Sequence, residues 1–469
     1  MVSAVAAVDL GATSGRVMLG YVGHNELRLQ PVARFPNGPL DIGGKLRWNA
    51  TALFEHVVSG LASAARQEPD LASVAVDSWA VDYGLMHGGV LHAEPFHYRD
   101  ARAATGVELT HERLPPEELY AATGLQHLPF NTVYQLVADQ QAGRLDGVDR
   151  FLLIPDLMTF WLSGQQFAER TNASTTALFN VHTGEWDDAL IERVGLPRHI
   201  FPELVSAGTA VGGLLPAIAT RVGLPSLEVS TTGSHDTASA VVAVPATDPD
   251  FAYISSGTWA LVGVELERPV LSEASRLANF TNEGGVDGRV RYLRNVMGLW
   301  ILSETVTGWG ADLSSLLTAA AAEPAPSHLF DVDDARFLPP GDMPKRIAEW
   351  FGERGLPVPA GQAATVRVIL ESLAEAYAAT VRQATELSGK TVKVIHLLGG
   401  GSHNTLLCQL IADRSGLPVH AGPAEATAIG NVLVQARAQG LVSGSLESLR
   451  AIAAAAFAPT IYTPQGASR

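Results

Sequence analysis

One short pattern occurs twice and limits what this chain can fold into. VAAVDLGATSGRVMLG, residues 5–20, reads as an apolar strand, a small-residue turn and a second apolar strand. FAYISSGTWALVGVEL, residues 251–266, repeats that layout, again with hydroxyls and glycine in the turn. After the first copy, Glu26 to Phe35 alternates as a third strand, and residues 51–66 carry apolar groups at helical spacing behind an Asn49 cap. A short strand, Ser73 to Val76, then ends at Asp77. After the second copy, TVKVIHLLGGG reads as a strand into a glycine run. SHNTLLCQLIADRSG follows as a helix, PVHAG as a strand, and AEATAIGNVLVQARAQG as a helix closed by Gly440. Hairpins followed by helices and further strands predict an α/β protein with mixed sheets flanked by helices. Two hairpin-led halves predict duplicated lobes with a cleft between them, residues 1–244 and 245–469, divided where Pro245 and Asp250 interrupt the apolar texture. On pattern alone, two unrelated α/β domains remain the alternative. Residues 320–363, rich in Pro, Ala and charge, read as a loop-rich excursion.

Composition narrows the function. The 469 residues hold 32 Lys and Arg against 48 Asp and Glu, a formal charge of −16. That balance argues against duplex nucleic acid, whose affinity comes from neutralising phosphates, and against anionic membranes. With 47% hydrophobic and 17% charged residues, the chain can bury a large core. Cys408 is the single cysteine, so neither an internal disulfide nor a cysteine zinc cage can form. No secretory signal or membrane span is legible, and a cytoplasmic enzyme is expected.

Familiar motifs are missing. No GxGxxG or HExxH occurs, and Gly389-Lys390-Thr391 has Ala384 where a P-loop requires glycine. What remains is anion binding by turns. Gly11-Ala12-Thr13-Ser14-Gly15-Arg16 offers backbone N–H groups, hydroxyls and a guanidinium to a phosphate, or is simply a hairpin turn needing glycine for positive φ. Ser255-Ser256-Gly257-Thr258 and Gly399-Gly400-Gly401 are two further such turns, and together the three point to a nucleotide. Asp9 could hold Mg²⁺ through water, since that ion takes few carboxylates plus phosphates; otherwise it caps a turn. Asp236 opens an apolar stretch, as a helix N-cap or as a general base for a hydroxyl nucleophile. Asn295 caps a helix after a strand Val290–Leu293 or reaches the cleft. Trp79, Asp82, His97, Tyr98, Arg99 and Asp100 have the aromatic and polar make-up of a sugar site, or of a cleft edge.

In order and spacing these segments resemble the FGGY carbohydrate kinases. AVDLGATSGRVML, SVAVDSWAVDYGLM, PFHYRDAR, LQHLPFNTVYQL, LIPDLMTFWLSG and ERTNASTT carry the resemblance in the first half. SHDTASAV, YISSGTWALVG, NEGGVDGRVRYLRNVMGLW, HLLGGGSHNTLL and AGPAEATAIGNVLVQ carry it in the second. The resemblance implies two ribonuclease-H-like lobes of the actin and sugar-kinase type, with ATP and sugar meeting in the cleft. Ala12, Thr13, Ser14, Gly15 and Arg16 then look like the first phosphate loop, and Thr258, Ser303 and Gly400 like further ATP contacts. Ala80, His235, Asp236, Thr237 and Asn295 look like sugar contacts, with Asp236 also the base. Ala80 stands where glycine is expected, and Ser303 where glutamine is expected. The implied reaction is ATP-dependent phosphorylation of L-rhamnulose at O1, a step of L-rhamnose catabolism, with Mg²⁺ at Asp9. L-fuculose or another ketose is the alternative substrate, and an actin-like or chaperone-like ATPase the alternative class. The expected partners are a small ketose and ATP, without nucleic acid or membrane, in a monomer or weak homo-oligomer.

Overall fold

A computed structural model describes residues 3–23 and 26–465, and the chain divides into two compact units. The first comprises Met1–Thr247, Leu266–Tyr292 and Ala426–Ala456; the second comprises Asp248–Glu265, Leu293–Glu425 and Phe457–Arg469.

The first unit is built on β1 (Ser3–Leu10), β2 (Ser14–Gly23), β3 (Glu26–Pro36), β4 (Ser73–Ser78), β5 (Ala210–Gly213) and β6 (Glu228–Ser230), in the order β5-β6-β4-β1-β2-β3. β1 pairs antiparallel with β2 and parallel with β4. Helices cover both faces, which is why β1 and β4 read as continuous apolar runs and not as alternating ones. Leu53, Val57 and Leu61 of α1 (Ala50–Gln67) join Ala6, Val8 and Leu10 in one core cluster. Gly60 of α1 sits over Val17, whereas Gly20 sits against Val432. Residues 17 and 20 point to opposite faces of β2, so the segment carrying Val432 covers the other side.

The second unit repeats the plan. β7 (Phe251–Ser256), β8 (Trp259–Leu266), β9 (Val290–Met297), β10 (Val394–Leu398), β11 (Val419–Ala421) and β12 (Thr460–Tyr462) lie in the order β9-β8-β7-β10-β11-β12. β7 pairs antiparallel with β8 and parallel with β10, as β1 does with β2 and β4. Each unit thus has a central strand with its hairpin partner on one side and a parallel strand on the other. The repeated sequence pattern marks a structural repeat.

Three elements differ from expectation. Asn295 caps no helix: it lies inside β9, which runs on to Met297, and the next helix, Trp300–Trp309, starts behind Leu299. The excursion at 320–363 contains a helix, Met343–Gly352, which buries Met343, Ile347, Trp350 and Phe351 at helical spacing. Helix Ala426–Ala438, expected in the C-terminal lobe, packs with the first unit. Its Gln435 amide donates to the Ala6 carbonyl at 2.9 Å, and Val432 fills the space left by Gly20.

Candidate active site

β1 and β4 each carry a carboxylate one residue before the C-terminal end. Asp9 and Asp77 are register partners on these parallel strands, and Arg16 of β2 faces Asp9 from the antiparallel side. Arg16 directs Nε, at 2.8 Å, and Nη2, at 2.6 Å, to Asp9 Oδ2. The Asn431 amide donates to Asp77 Oδ2 at 2.6 Å, while Oδ1, also buried, has no hydrogen-bond partner. Burial pushes the Asp77 carboxyl well above its ordinary range, the charges of Asp9 and Asp236 add to this, and Asn431 and Arg16 oppose it.

Asp236 reaches this group through the backbone. Ser78 N–H donates to Ser234 O at 2.9 Å, and a parallel bridge joins Ser78 to His235. That bridge keeps His235 extended, at φ −75° and ψ 121°, so the helix Asp236–Val242 (α2) can start only after it. His235 therefore occupies the N-cap position, and the expectation that Asp236 caps the helix is corrected by one residue. Relieved of capping, Asp236 accepts from Thr237 Oγ1 at 3.0 Å and lies 3.4 Å from His235 Nε2, both through Oδ1. Its side chain is 32% exposed, against 5% for Asp9. Of these three carboxylates it is the one a substrate hydroxyl can approach.

The turn 11–16 is closed by Gly11 N–H to Ser14 O at 2.9 Å and braced by Asn37, whose amide donates to Gly11 O at 2.8 Å. Neither Gly11 nor Gly15 has positive φ, so the hairpin-conformation account of these glycines fails. Gly15 is required for space, because a Cβ there would overlap the Phe35 ring. Thr13 is exposed, Ala12, Ser14 and Arg16 are half-buried, and all lie at the Asp9 end of β1. Trp79 N–H donates to Leu10 O at 3.2 Å, which places Ala80 beside the same strand end. Asp9, residues 12–16, Ala80 and residues 235–237 thus converge. No group of three or more His, Cys, Asp or Glu among the described residues is disposed as a metal cage. A hydrated Mg²⁺ needs few protein ligands, and the unpartnered Asp77 oxygen beside Asp9 suits it.

Next to this group, Asp82 Oδ2 accepts from the indoles of Trp48, at 2.6 Å, and Trp79, at 3.2 Å, and Oδ1 from Gln135 at 3.0 Å. The Trp48 ring lies tilted against Trp79 and His97, with centroids 4.1 Å and 4.2 Å away. Trp79, Asp82, His97, Tyr98 and Asp100 are buried and Arg99 is half-buried, so most of the expected sugar-type cluster is packed wall. Val81 holds φ 69°, unusual for a β-branched residue, with its carbonyl tied by Thr132 Oγ1 at 2.8 Å. Burial raises the Asp82 pKa to about 6 despite its donors. A carboxyl with a raised folded pKa adds stability that is complete below the unfolded value and lost as pH rises through about 6. Asp82→Asn keeps an acceptor for the indoles and removes the charge. Its stability relative to wild type should therefore rise by about 1–2 kcal/mol between pH 5 and pH 8. Parallel urea-unfolding stabilities across that range would show that the charge carries no such cost.

In the second unit, the turn at Gly257-Thr258 rests on the junction between β9 and α3 (Trp300–Trp309). Leu299 N–H donates to Gly257 O at 2.9 Å and Trp300 N–H to Thr258 O at 3.3 Å. Gly298 permits this approach, since its Cβ would fall 2.7 Å from the Gly257 and Thr258 oxygens. Ser303 is exposed one turn into α3. The glycine run leaves β10 beside the same turn, with Gly399 at φ 77° and Gly401 against Ser256; Gly400 is exposed with open space at its Cα. Thr258, Ser303 and Gly400 therefore share one end of this unit's sheet, and Asn295 lies on its strand β9.

Sequence reasoning passed over Asp77, Asn431, Glu169, Glu283 and Arg291. Asp77 had a signal, since Ala75-Val76-Asp77 repeats Ala7-Val8-Asp9. Glu169 takes the N–H and hydroxyl of Ser234, each at 2.9 Å, from 65 positions away, which no local pattern reveals.

Comparison with known proteins agrees with this geometry. Residues 5–243 match the N-terminal domain of the FGGY family of carbohydrate kinases, and residues 252–439 its C-terminal domain. A rhamnulokinase of Bacteroides thetaiotaomicron is 39% identical over 464 residues, 98% of this chain and 95% of that protein. A rhamnulokinase of Enterococcus faecalis is 37% identical over 440 residues, 92% and 89% of the two chains. A ligand-bound xylulose kinase from Lactobacillus acidophilus superposes with a TM-score of 0.80 at 15% identity, over 99% of this chain and 94% of that one. Two repeated units and a family match running through both lead to one conclusion: the chain belongs to the FGGY family of carbohydrate kinases.

Proposed function

We propose that this carbohydrate kinase transfers the γ-phosphoryl group of ATP to O1 of L-rhamnulose, giving L-rhamnulose 1-phosphate and ADP. The identity of 37–40% to rhamnulokinases over more than nine-tenths of the chain carries the choice of substrate. The ketose hydroxyl loses its proton to Asp236 as its oxygen bonds to phosphorus, and the bond from phosphorus to the ADP oxygen breaks. Such transfers ask the protein mainly for positioning and charge stabilisation. His235, Thr237, Ala80 and Asn295 hold the sugar. Residues 12–16 in the 1–244 lobe, and Thr258, Ser303 and Gly400 in the 245–469 lobe, hold ATP. Asp9, through water, and the neighbouring Asp77 would hold Mg²⁺, which would neutralise phosphate charge there. Arg16 pairs with Asp9 and orients it next to the buried Asp77. The enzyme works in the cytoplasm as a monomer or weak homo-oligomer.

Coupled measurement of ADP release tests the reading. Turnover with L-rhamnulose should exceed that with L-fuculose, with other ketoses and without sugar. Faster turnover with L-fuculose would reassign the substrate, and turnover indifferent to every sugar would remove the kinase assignment.

A further inference from the structure

We infer that Arg291, itself held by Glu283, fixes the tautomer of His235 so that the Nε2 proton faces Asp236. The inference rests on Asp236 being the base and names two residues that position it.

The loop carrying His235 is secured twice. Its backbone is tied by Glu169, which accepts from the N–H and hydroxyl of Ser234, and by Thr171 Oγ1, which accepts from His235 N–H at 3.3 Å. Its ring is held separately. Arg291, fully buried, places Nη2 3.0 Å from His235 Nδ1 and 3.2 Å from Glu283 Oε2, and donates through Nε to Gly284 O at 2.9 Å. A guanidinium has five N–H donors and no acceptor, so His235 Nδ1 must accept. The neutral ring then carries its proton on Nε2, the nitrogen 3.4 Å from Asp236 Oδ1. That proton, with the Thr237 hydroxyl, engages Oδ1 and leaves Oδ2 for the sugar hydroxyl.

Without Arg291 the preference reverses. Glu283 Oε2 already lies 3.3 Å from His235 Nδ1, and a carboxylate there would draw the ring proton to Nδ1. Nε2 would then turn a lone pair towards the Asp236 carboxylate. The second partner of a ring nitrogen sets which nitrogen is protonated, and around metal-bound histidines losing such partners costs about 10–100-fold in metal affinity or activity.

Two measurements decide the matter. Long-range proton–nitrogen correlation on wild-type protein labelled at histidine, with His235 identified by the signal missing from His235→Gln, should show Nε2 protonated and Nδ1 bare at neutral pH. A proton on Nδ1, in either the other tautomer or an imidazolium, overturns the inference. The second compares Arg291→Met/Glu283→Gln with Arg291→Met/Glu283→Leu. Both remove the buried charge pair, but only the glutamine can still donate to Nδ1. The leucine variant should have a kcat about 10–100-fold below the glutamine variant, with the same KM for ATP. Equal kcat values would reduce Arg291 to a packing role. The tautomer is read without turnover, so its failure leaves Asp236 as base. A fully active Asp236→Asn would remove the base and leave the tautomer standing.

Discussion

Asp236→Asn is expected to fold and to lose turnover by about 10²–10⁴-fold, the usual worth of a general base. Asp236 is the first residue of α2, not its cap, so the change withdraws no capping bond. Asparagine retains an oxygen to accept from Thr237 Oγ1 and His235 Nε2. Its folded-state cost is then the helix-dipole interaction of one exposed charge, about 0.3–1 kcal/mol. What disappears is the basicity of the exposed carboxylate among three. Asp77, the neighbouring acid, cannot substitute, because it is fully buried and out of reach of a substrate hydroxyl. A folded Asp236→Asn protein with near-normal kcat, measured where chemistry limits the rate, would leave the residue an ornament of the helix terminus.

Gly430→Ala should be among the most damaging single methyl additions at the described glycines. Helix propensity favours alanine by about 1 kcal/mol, so sequence alone forecasts a gain. In the fold, Gly430 of helix Ala426–Ala438 lies against α2, and a Cβ would overlap the Ser239 carbonyl, with Ser239 Cα only 3.1 Å away. The obstacle is helix backbone and cannot rotate aside. Overpacking typically costs about 1–3 kcal/mol and more where the backbone must move, so the clash outweighs propensity. A net loss of about 2 kcal/mol or more is expected in urea unfolding. Displaced α2 also carries Asp236 at its start, and misplacement by about 1 Å can cost about 10²-fold in rate. Gly308→Ala is the control: Gly308 lies exposed in α3 with open space at its Cα, and should gain up to about 1 kcal/mol. Gly430→Ala as stable as wild type would mean that the two helices separate freely.

Much of the candidate site was readable because its parts are local. Asp9, the turn 11–16 and the segment 234–237 each sit at a strand or loop end whose flanks announce it. The boundary error at Asp236 has a physical cause. Where an extended segment stops depends on its lateral partners, and the bridge to Ser78 holds His235 extended where the local pattern placed a cap at Asp236.

The sequence by itself determined the two hairpin-led halves, the strands that carry Asp9 and Asp77, and the family. Apolar periodicity and turn chemistry act between neighbours along the chain and survive in any reading of it. Only the tertiary structure decided which helix covers which sheet, and so placed Asn431 on Asp77, Gly430 on Ser239, and Glu283 and Arg291 behind His235. Those contacts join residues 48 to 354 positions apart in the chain. They are fixed by close packing and by the need of each buried charge for a partner, neither of which leaves a periodic mark in the sequence.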